Sequence, residues 1–252
     1  MTKALMAMFM LAALAGCGRG DCLECNVPKM PTPLTIFAAS SLKPAFDKLG
    51  EVARERQAAT PTFNYAGTQT LVSQLVQGAP GDVFASADTA HMTQLQTAGL
   101  ISGQPTLFAH NKLEIAVAKG NPKGIHTLAD LARPDLVVVL ADQSVPAGKY
   151  AQQALAKAGV TVRPASYEQQ VTGVLSKVAL GEADAGIVYV SDIVTSGHVD
   201  GIAIPEAQNV IADYPIAVLK QSHAPGPAED FISLILSAEG QAILRAAGFE
   251  GA

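Results

Sequence analysis

From residue 34 onward the apolar positions alternate between two rhythms. Short, nearly continuous apolar runs predict buried strands at Leu34 to Phe37, Thr62 to Ala66, Asp82 to Ser86, Leu113 to Ala118, Leu136 to Leu140, Ala185 to Val190 and Ile216 to Leu219. Helical spacing appears between them. Leu42, Phe46, Leu49 and Ala53 share one face, while Lys43, Asp47, Lys48, Glu51 and Arg54 occupy the others. Pro44 falls in the first turn, where a missing N–H is harmless. Gly67-Thr68-Gln69-Thr70 opens a helix carrying Leu71, Leu75 and Val76, and Asp88 is placed to N-cap a helix that ends at Gly99. Further helices are expected over Ala147 to Ala158, stopped by Gly159, and Glu168 to Leu180, stopped by Gly181. Phe231 to Ala247 reads as one or two closing helices. Strands alternating with helices predict an α/β fold.

Hydroxyl residues recur where strands give way to helices: Ser40-Ser41 after the first strand, Thr68 after the second. Such junctions carry unpaired backbone N–H groups and the positive end of the helix dipole, which together favour an anion. In open α/β sheets, ligands sit beyond the carboxyl ends of the strands. Each hydroxyl reads either as an N-cap or as an anion ligand, and the pattern alone names no ligand.

The N-terminus reads differently. Lys3 precedes an apolar stretch, Ala4 to Leu14, too short to cross a bilayer, so residues 1–16 are expected to be a secretory signal. Its end, Leu14-Ala15-Gly16-Cys17, resembles the bacterial lipobox, which implies cleavage before Cys17 and a diacylglycerol on its thiol. Residues 17–33, with Pro28, Pro31 and Pro33, are then a tether. Cys22 and Cys25 form a C-x-x-C pair with no second pair to complete a zinc site, and read as a tether disulfide or two idle thiols. The net charge of −5 over 252 residues argues against a nucleic-acid partner but leaves room for a local anion pocket.

Five segments in order, "IFAASSL" (36–42), "YAGTQTLVSQL" (65–75), "GAPGDVFASAD" (78–88), "VPAGKYAQQAL" (145–155) and "GIVYVSD" (186–192), resemble the molybdate-binding proteins of ABC-type importers. The resemblance runs from about residue 34 to the C-terminus. It implies a two-lobe periplasmic-binding-protein fold of type II character, with two mixed sheets flanked by helices and the ligand in the inter-lobe cleft. One lobe would comprise 34–112 plus 214–252, the other 113–213, with hinges near Asn111-Lys112 and Asp213-Tyr214. It also implies a ligand set: the hydroxyl and N–H of Ser41, the hydroxyl of Thr68 (a departure, since serine is frequent there), the N–H groups of Ala147 and Val171, and the phenol of Tyr189. A helix starting at Tyr167 would leave Val171 no free N–H; the assignment requires a start near Gln170.

These groups are all neutral donors. Molybdate, a fully deprotonated tetrahedral dianion, needs nothing else, whereas phosphate usually carries a proton that needs an acceptor. Asp82 and Asp88 read as hinge or capping groups, and Lys149 as a solvated helix residue. Sulfate has molybdate's charge and shape but is smaller, so a sulfate receptor is the alternative. A secreted hydrolase fits less well: His91, His110, His126, His198 and His223 are scattered, and no G-x-S-x-G elbow or H-E-x-x-H pair is present. A metal receptor would need clustered His, Asp, Glu or Tyr ligands. A transcriptional regulator would need a DNA-binding module. The expectation is a monomeric, non-enzymatic, extracytoplasmic lipoprotein. It would need no cofactor, take up molybdenum only as the molybdate oxyanion, bind tungstate as a second ligand, and serve an ABC permease.

Overall fold

The computed structural model describes residues 32–252, so the expected signal, Cys17 and the C-x-x-C pair lie outside the described residues. The chain begins with β1 (Thr32–Ala39), a 3-10 turn at Ser40–Leu42 and α1 (Lys43–Glu55). Then follow β2 (Ala59–Ala66), α2 (Thr68–Val76), β3 (Val83–Ala85), α3 (Thr89–Thr97) and β4 (Ile101–Asn111). Lys112 leads directly into a second set: β5 (Leu113–Ala118), β6 (Val138–Ala141), α4 (Pro146–Ala158), β7 (Ser166–Glu168), α5 (Val171–Ala179), β8 (Ala185–Tyr189), α6 (Val190–Ser196) and β9 (Val199–Ala203). The chain returns through β10 (Ala212–Leu219), α7 (Pro225–Leu236), α8 (Ala238–Ala246) and β11 (Glu250–Gly251).

Two mixed sheets result. The first has the order β11-β4-β10-β3-β1-β2, the second β7-β6-β8-β5-β9. In the first, β1 pairs in parallel with β2 and β3; in the second, β6 pairs in parallel with β7 and β8. The remaining pairs are antiparallel. Central β1 is buried on both faces from Ile36 on, which is why Ile36 to Ala39 reads as an uninterrupted apolar run. Leu34, Ile36 and Ala38 enter one core cluster with Phe46 and Leu49 of α1. Phe37 points the other way, into a second cluster with Leu71 and Leu75 of α2 and Met92 and Leu95 of α3. The larger cluster runs on into the second sheet through Leu113, Ile115, Val139 and Ile187, so the described residues pack as one body.

Several expectations are corrected. Thr32 and Pro33 belong to β1, not to a tether. Pro33 faces Thr60 of β2 before β3 joins at Ile36, so its missing donor leaves no gap on the β3 side. Residues Ser166–Glu168 form a strand beside β6, and the helix begins only at Val171. Asp213 and Tyr214 lie inside β10, opposite His110 and Ala109. The chain therefore passes back to the first sheet over residues 204–211, upstream of the expected hinge. Strands β4 and β9 and helix α6 had no counterpart in the sequence reading. β4 contains Gly103 and Pro105 and pairs with β10 through register shifts, which hides its alternation. The closing segment is two helices, because Ser237 leaves the helical path and caps α8 by accepting from the Gly240 N–H.

Helix α4 shows how tightly these junctions are seated. Pro146 occupies its first turn, and Gly159 ends it in the left-handed conformation at φ 67°. A Cβ at Gly148 would overlap the carbonyl oxygens of Asp142 and Ala141, so only glycine lets the helix start rest on the end of β6. Gly148→Ala should therefore destabilise the protein by about 1–3 kcal/mol. Chemical denaturation of the two proteins checks this, and equal midpoints would show that the helix start shifts without penalty.

Candidate functional site

The carboxyl ends of β1, β2, β3, β6 and β8, with the start of α5 just beyond β7, converge on one small cavity. About 10 Å³ of it is open to the centre of a water-sized sphere, roughly the room one such sphere needs. The first-sheet strands contribute Ala39, Ser40, Ser41, Ala66, Gly67, Thr68 and Ala87; the second sheet contributes Val145, Pro146, Ala147, Val171 and Tyr189. All five residues singled out in the sequence (Ser41, Thr68, Ala147, Val171 and Tyr189) lie on this wall. Sequence reading missed Gly67 and Ala87 as lining residues, although both lie inside the quoted motifs. Gly67 is required by closeness: a Cβ there would overlap the Gln169 carbonyl across the cavity mouth.

Four helix starts point inward: the 3-10 turn leading into α1, α2, α4 and α5. Among the described residues, the N–H groups of Ser41, Thr68, Ala147 and Val171 find no backbone acceptor. Val171 owes its free N–H to the late start of α5, whose N-cap is Gln170. Four unpaired helix starts give the cavity a positive potential without any full charge. No Asp, Glu, Lys, Arg or His side chain lines it.

The hydroxyls are not helix caps. Gly67 occupies the α2 N-cap position, and Thr68 Oγ1 instead accepts from the Ala87 N–H at 3.3 Å, leaving its proton to donate. Ser41 Oγ lies 3.0 Å from Tyr214 Oη. Tyr189 Oη is buried without any hydrogen-bond partner among the described residues. Native structures leave few such groups unpaired. Nearby charges are engaged elsewhere. Asp88 caps α3 through the His91 N–H at 2.9 Å, and Asp82 accepts from the Thr35 N–H, the Ser222 hydroxyl and the His223 N–H. Lys149 is exposed.

The sequence profile of the bacterial extracellular solute-binding proteins matches residues 34–250. The chain belongs to that family. The molybdate-binding protein ModA of Mycobacterium tuberculosis is 41% identical over 258 residues, covering 99% of this chain and 97% of that protein. Two solved structures share the fold. The periplasmic molybdate-binding protein of Azotobacter vinelandii has a TM-score of 0.75 at 22% identity, covering 86% of this chain and 98% of its own. The sulfate-binding protein SubI of Mycobacterium tuberculosis has a TM-score of 0.77 at 18% identity, covering 87% of each chain.

In this solute-binding protein the cavity mouth is bridged. Gln69 Nε2 of α2 donates to the Gln169 carbonyl at 2.8 Å, joining the two sides. Behind Tyr189 lies Asp192, 3% exposed, whose Oδ2 accepts the Tyr189 N–H at 3.0 Å. Burial pushes its carboxyl up to about 7 from an ordinary 3.8, while the Tyr189 N–H pulls the other way. The unfolded chain releases this proton near pH 4 and the folded one only near pH 7. In that window the folded state binds more protons, so stability falls as pH rises. Unfolding free energies measured from pH 4 to 8 should show wild type losing up to about 4 kcal/mol relative to Asp192→Asn. Parallel curves would show that Asp192 does not titrate in that range.

Proposed function

We propose that this solute-binding protein captures molybdate, with tungstate as a second ligand, outside the cytoplasm and passes it to the permease of an ABC transporter. The observation that carries the reading is the wall of the cavity: convergent N–H and O–H donors, with no carboxylate to accept a proton and no charge to neutralise. Such a wall suits a fully deprotonated oxyanion. The proposed ligands are Ser41 through its hydroxyl and N–H, Thr68 through its hydroxyl, Ala147 and Val171 through their N–H groups, and Tyr189 through its phenol. Burying a dianion without a cation is costly, but charge-assisted hydrogen bonds of about 1.5–3 kcal/mol each offset it. The 41% identical relative, a molybdate-binding protein, supports the same ligand.

In this reading residues 32–112 with 212–252 form one lobe and 113–203 the other, and binding energy closes them over the anion. The small cavity and the Gln69–Gln169 bridge accord with a closed form. The protein is proposed to act as a monomer and to perform no chemistry on its ligand. It is proposed to be held to the membrane through diacylglycerol on Cys17, as Leu14-Ala15-Gly16-Cys17 implies. Intact-mass measurement of mature native protein should find the lipid there, and an unmodified Cys17 would remove the anchor.

Ligand identity is tested by titrating molybdate, tungstate, sulfate and phosphate against thermal unfolding. Molybdate and tungstate at about 100 times their dissociation constants should add roughly 2.7 kcal/mol of stability, and phosphate should add none. A response to sulfate but not molybdate would support the sulfate reading, which the shared fold with SubI keeps in view. Tyr189→Phe supplies the residue-level check in the same assay. Deleting an unpaired buried hydroxyl should leave the ligand-free protein as stable as before, yet weaken molybdate binding by about 1–3 kcal/mol. Unchanged affinity would take Tyr189 out of the ligand set.

A further inference from the structure

We infer that Gln69 is a positioning residue for the anion: its side-chain amide latches the two lobes together at the cavity mouth, so that losing it speeds release of the ligand without slowing capture. This inference rests on the two-lobe reading and on the cavity being the oxyanion site. Gln69 is the second residue of α2, directly after the proposed ligand Thr68, and does not itself line the cavity. Its partner, the Gln169 carbonyl, stands two residues before the proposed ligand Val171, on the segment between β7 and α5. One hydrogen bond therefore ties the neighbour of a donor on the first sheet's side to the approach of a donor on the second.

The direction of this bond is fixed by chemistry. A carbonyl oxygen can only accept, so the atom 2.8 Å from the Gln169 oxygen is the amide nitrogen. The second N–H of that nitrogen has Thr70 Oγ1 within 3.3 Å. Turning the amide over would set oxygen against oxygen. The amide oxygen, Oε1, is buried without a hydrogen-bond partner among the described residues. A glutamine free to extend from a helix surface keeps both ends of its amide in water, and burying the oxygen unpaired is unfavourable. Gln69 does so in the arrangement that places its nitrogen on the other lobe.

Gly67 makes this reach possible. A Cβ there would lie 2.6 Å from both ends of the Gln69 amide and would overlap the Gln169 carbonyl, so the bare backbone lets the side chain fold across the mouth. A second hydrogen bond between the lobes, from Asn111 Nδ2 to Ser191 Oγ at 2.8 Å, sits beside the crossing at Lys112. Hinge motion separates points near the hinge least, so a bond there resists opening little. The bond at the mouth has to break for the lobes to part. Capture begins from the open form, in which that bond is not made, and its loss therefore shows in release.

The test measures two rates. Release is followed by chasing radiolabelled molybdate with excess unlabelled molybdate; calorimetry gives the dissociation constant, and the two together give the association rate. Gln69→Met keeps the unbranched length and removes the N–H donor. It should release molybdate about three- to tenfold faster than wild type, with an association rate within about twofold and an unchanged ligand-free melting temperature. If methionine shifts that melting temperature, Gln69→Ala is read by the same two rates. Ser41→Ala, which removes a proposed ligand, is measured beside them and should bind more weakly. Weakened binding in Ser41→Ala with the Gln69 variant releasing at the wild-type rate, or losing affinity through slower association, would overturn the latch and keep the site. Ser41→Ala binding molybdate normally would overturn the site reading, and the latch with it.

Discussion

An anion can be held away from water only where enough donors meet it, and that requirement organises this chain. Half of the proposed donors are backbone N–H groups, so helix starts as well as particular side chains have to be brought to one point. A helix start is free of partners by construction, because its first N–H groups have no carbonyl to bond within the helix. Parallel strands in both sheets deliver such starts at their carboxyl ends, and the two sheets face one another across the cavity. The fold thus concentrates positive potential without a lysine or arginine on the wall. A fully charged side chain there would also attract water and other counter-ions.

Close approach is the second condition. The cavity is small because glycines and alanines sit where larger residues would hold the walls apart. Gly67 lies against the Gln169 carbonyl, Gly148 seats α4 on the end of β6, and Ala39, Ala66, Ala87 and Ala147 fill the remaining wall without intruding. The aromatic residues lie behind this layer. Phe108, Tyr214 and Phe249 stack edge to face, and Tyr214 meets Tyr189 from the other sheet. Rigid rings behind small residues hold the hydroxyls at fixed points, which is the preorganisation that makes neutral donors effective.

Protonation is controlled in the same buried layer. Burial raises the phenols of Tyr189 and Tyr214 and the carboxyl of Asp192, favouring their neutral forms. A negative charge at any of them would oppose an anion nearby. The carboxylates close in sequence, Asp82 and Asp88, are occupied in tying loops and capping α3. The cavity wall therefore carries no acidic or basic side chain, and the phenols of Tyr189 on it and Tyr214 behind it keep their protons.

The order of strands and helices was legible in the sequence because β1, α1, α4 and β8 carry uninterrupted or strongly periodic apolar patterns, which local physics alone decides. The hydroxyl junctions at Ser41 and Thr68 were legible for the same reason, as they stand where one pattern stops and the next begins. Ala147, Val171 and Tyr189 were reached through family resemblance, since an alanine or valine N–H leaves no mark in composition. Tertiary structure decided the rest. It placed Ser166–Glu168 in a strand, because pairing with β6 overrides a segment with no pattern of its own, and that moved the start of α5 to Val171 and freed its N–H. It placed Tyr214 against Ser41, 173 residues away. A sequence records which groups can donate, but which acceptor each one reaches depends on everything packed around it, and only the folded chain determines those neighbours.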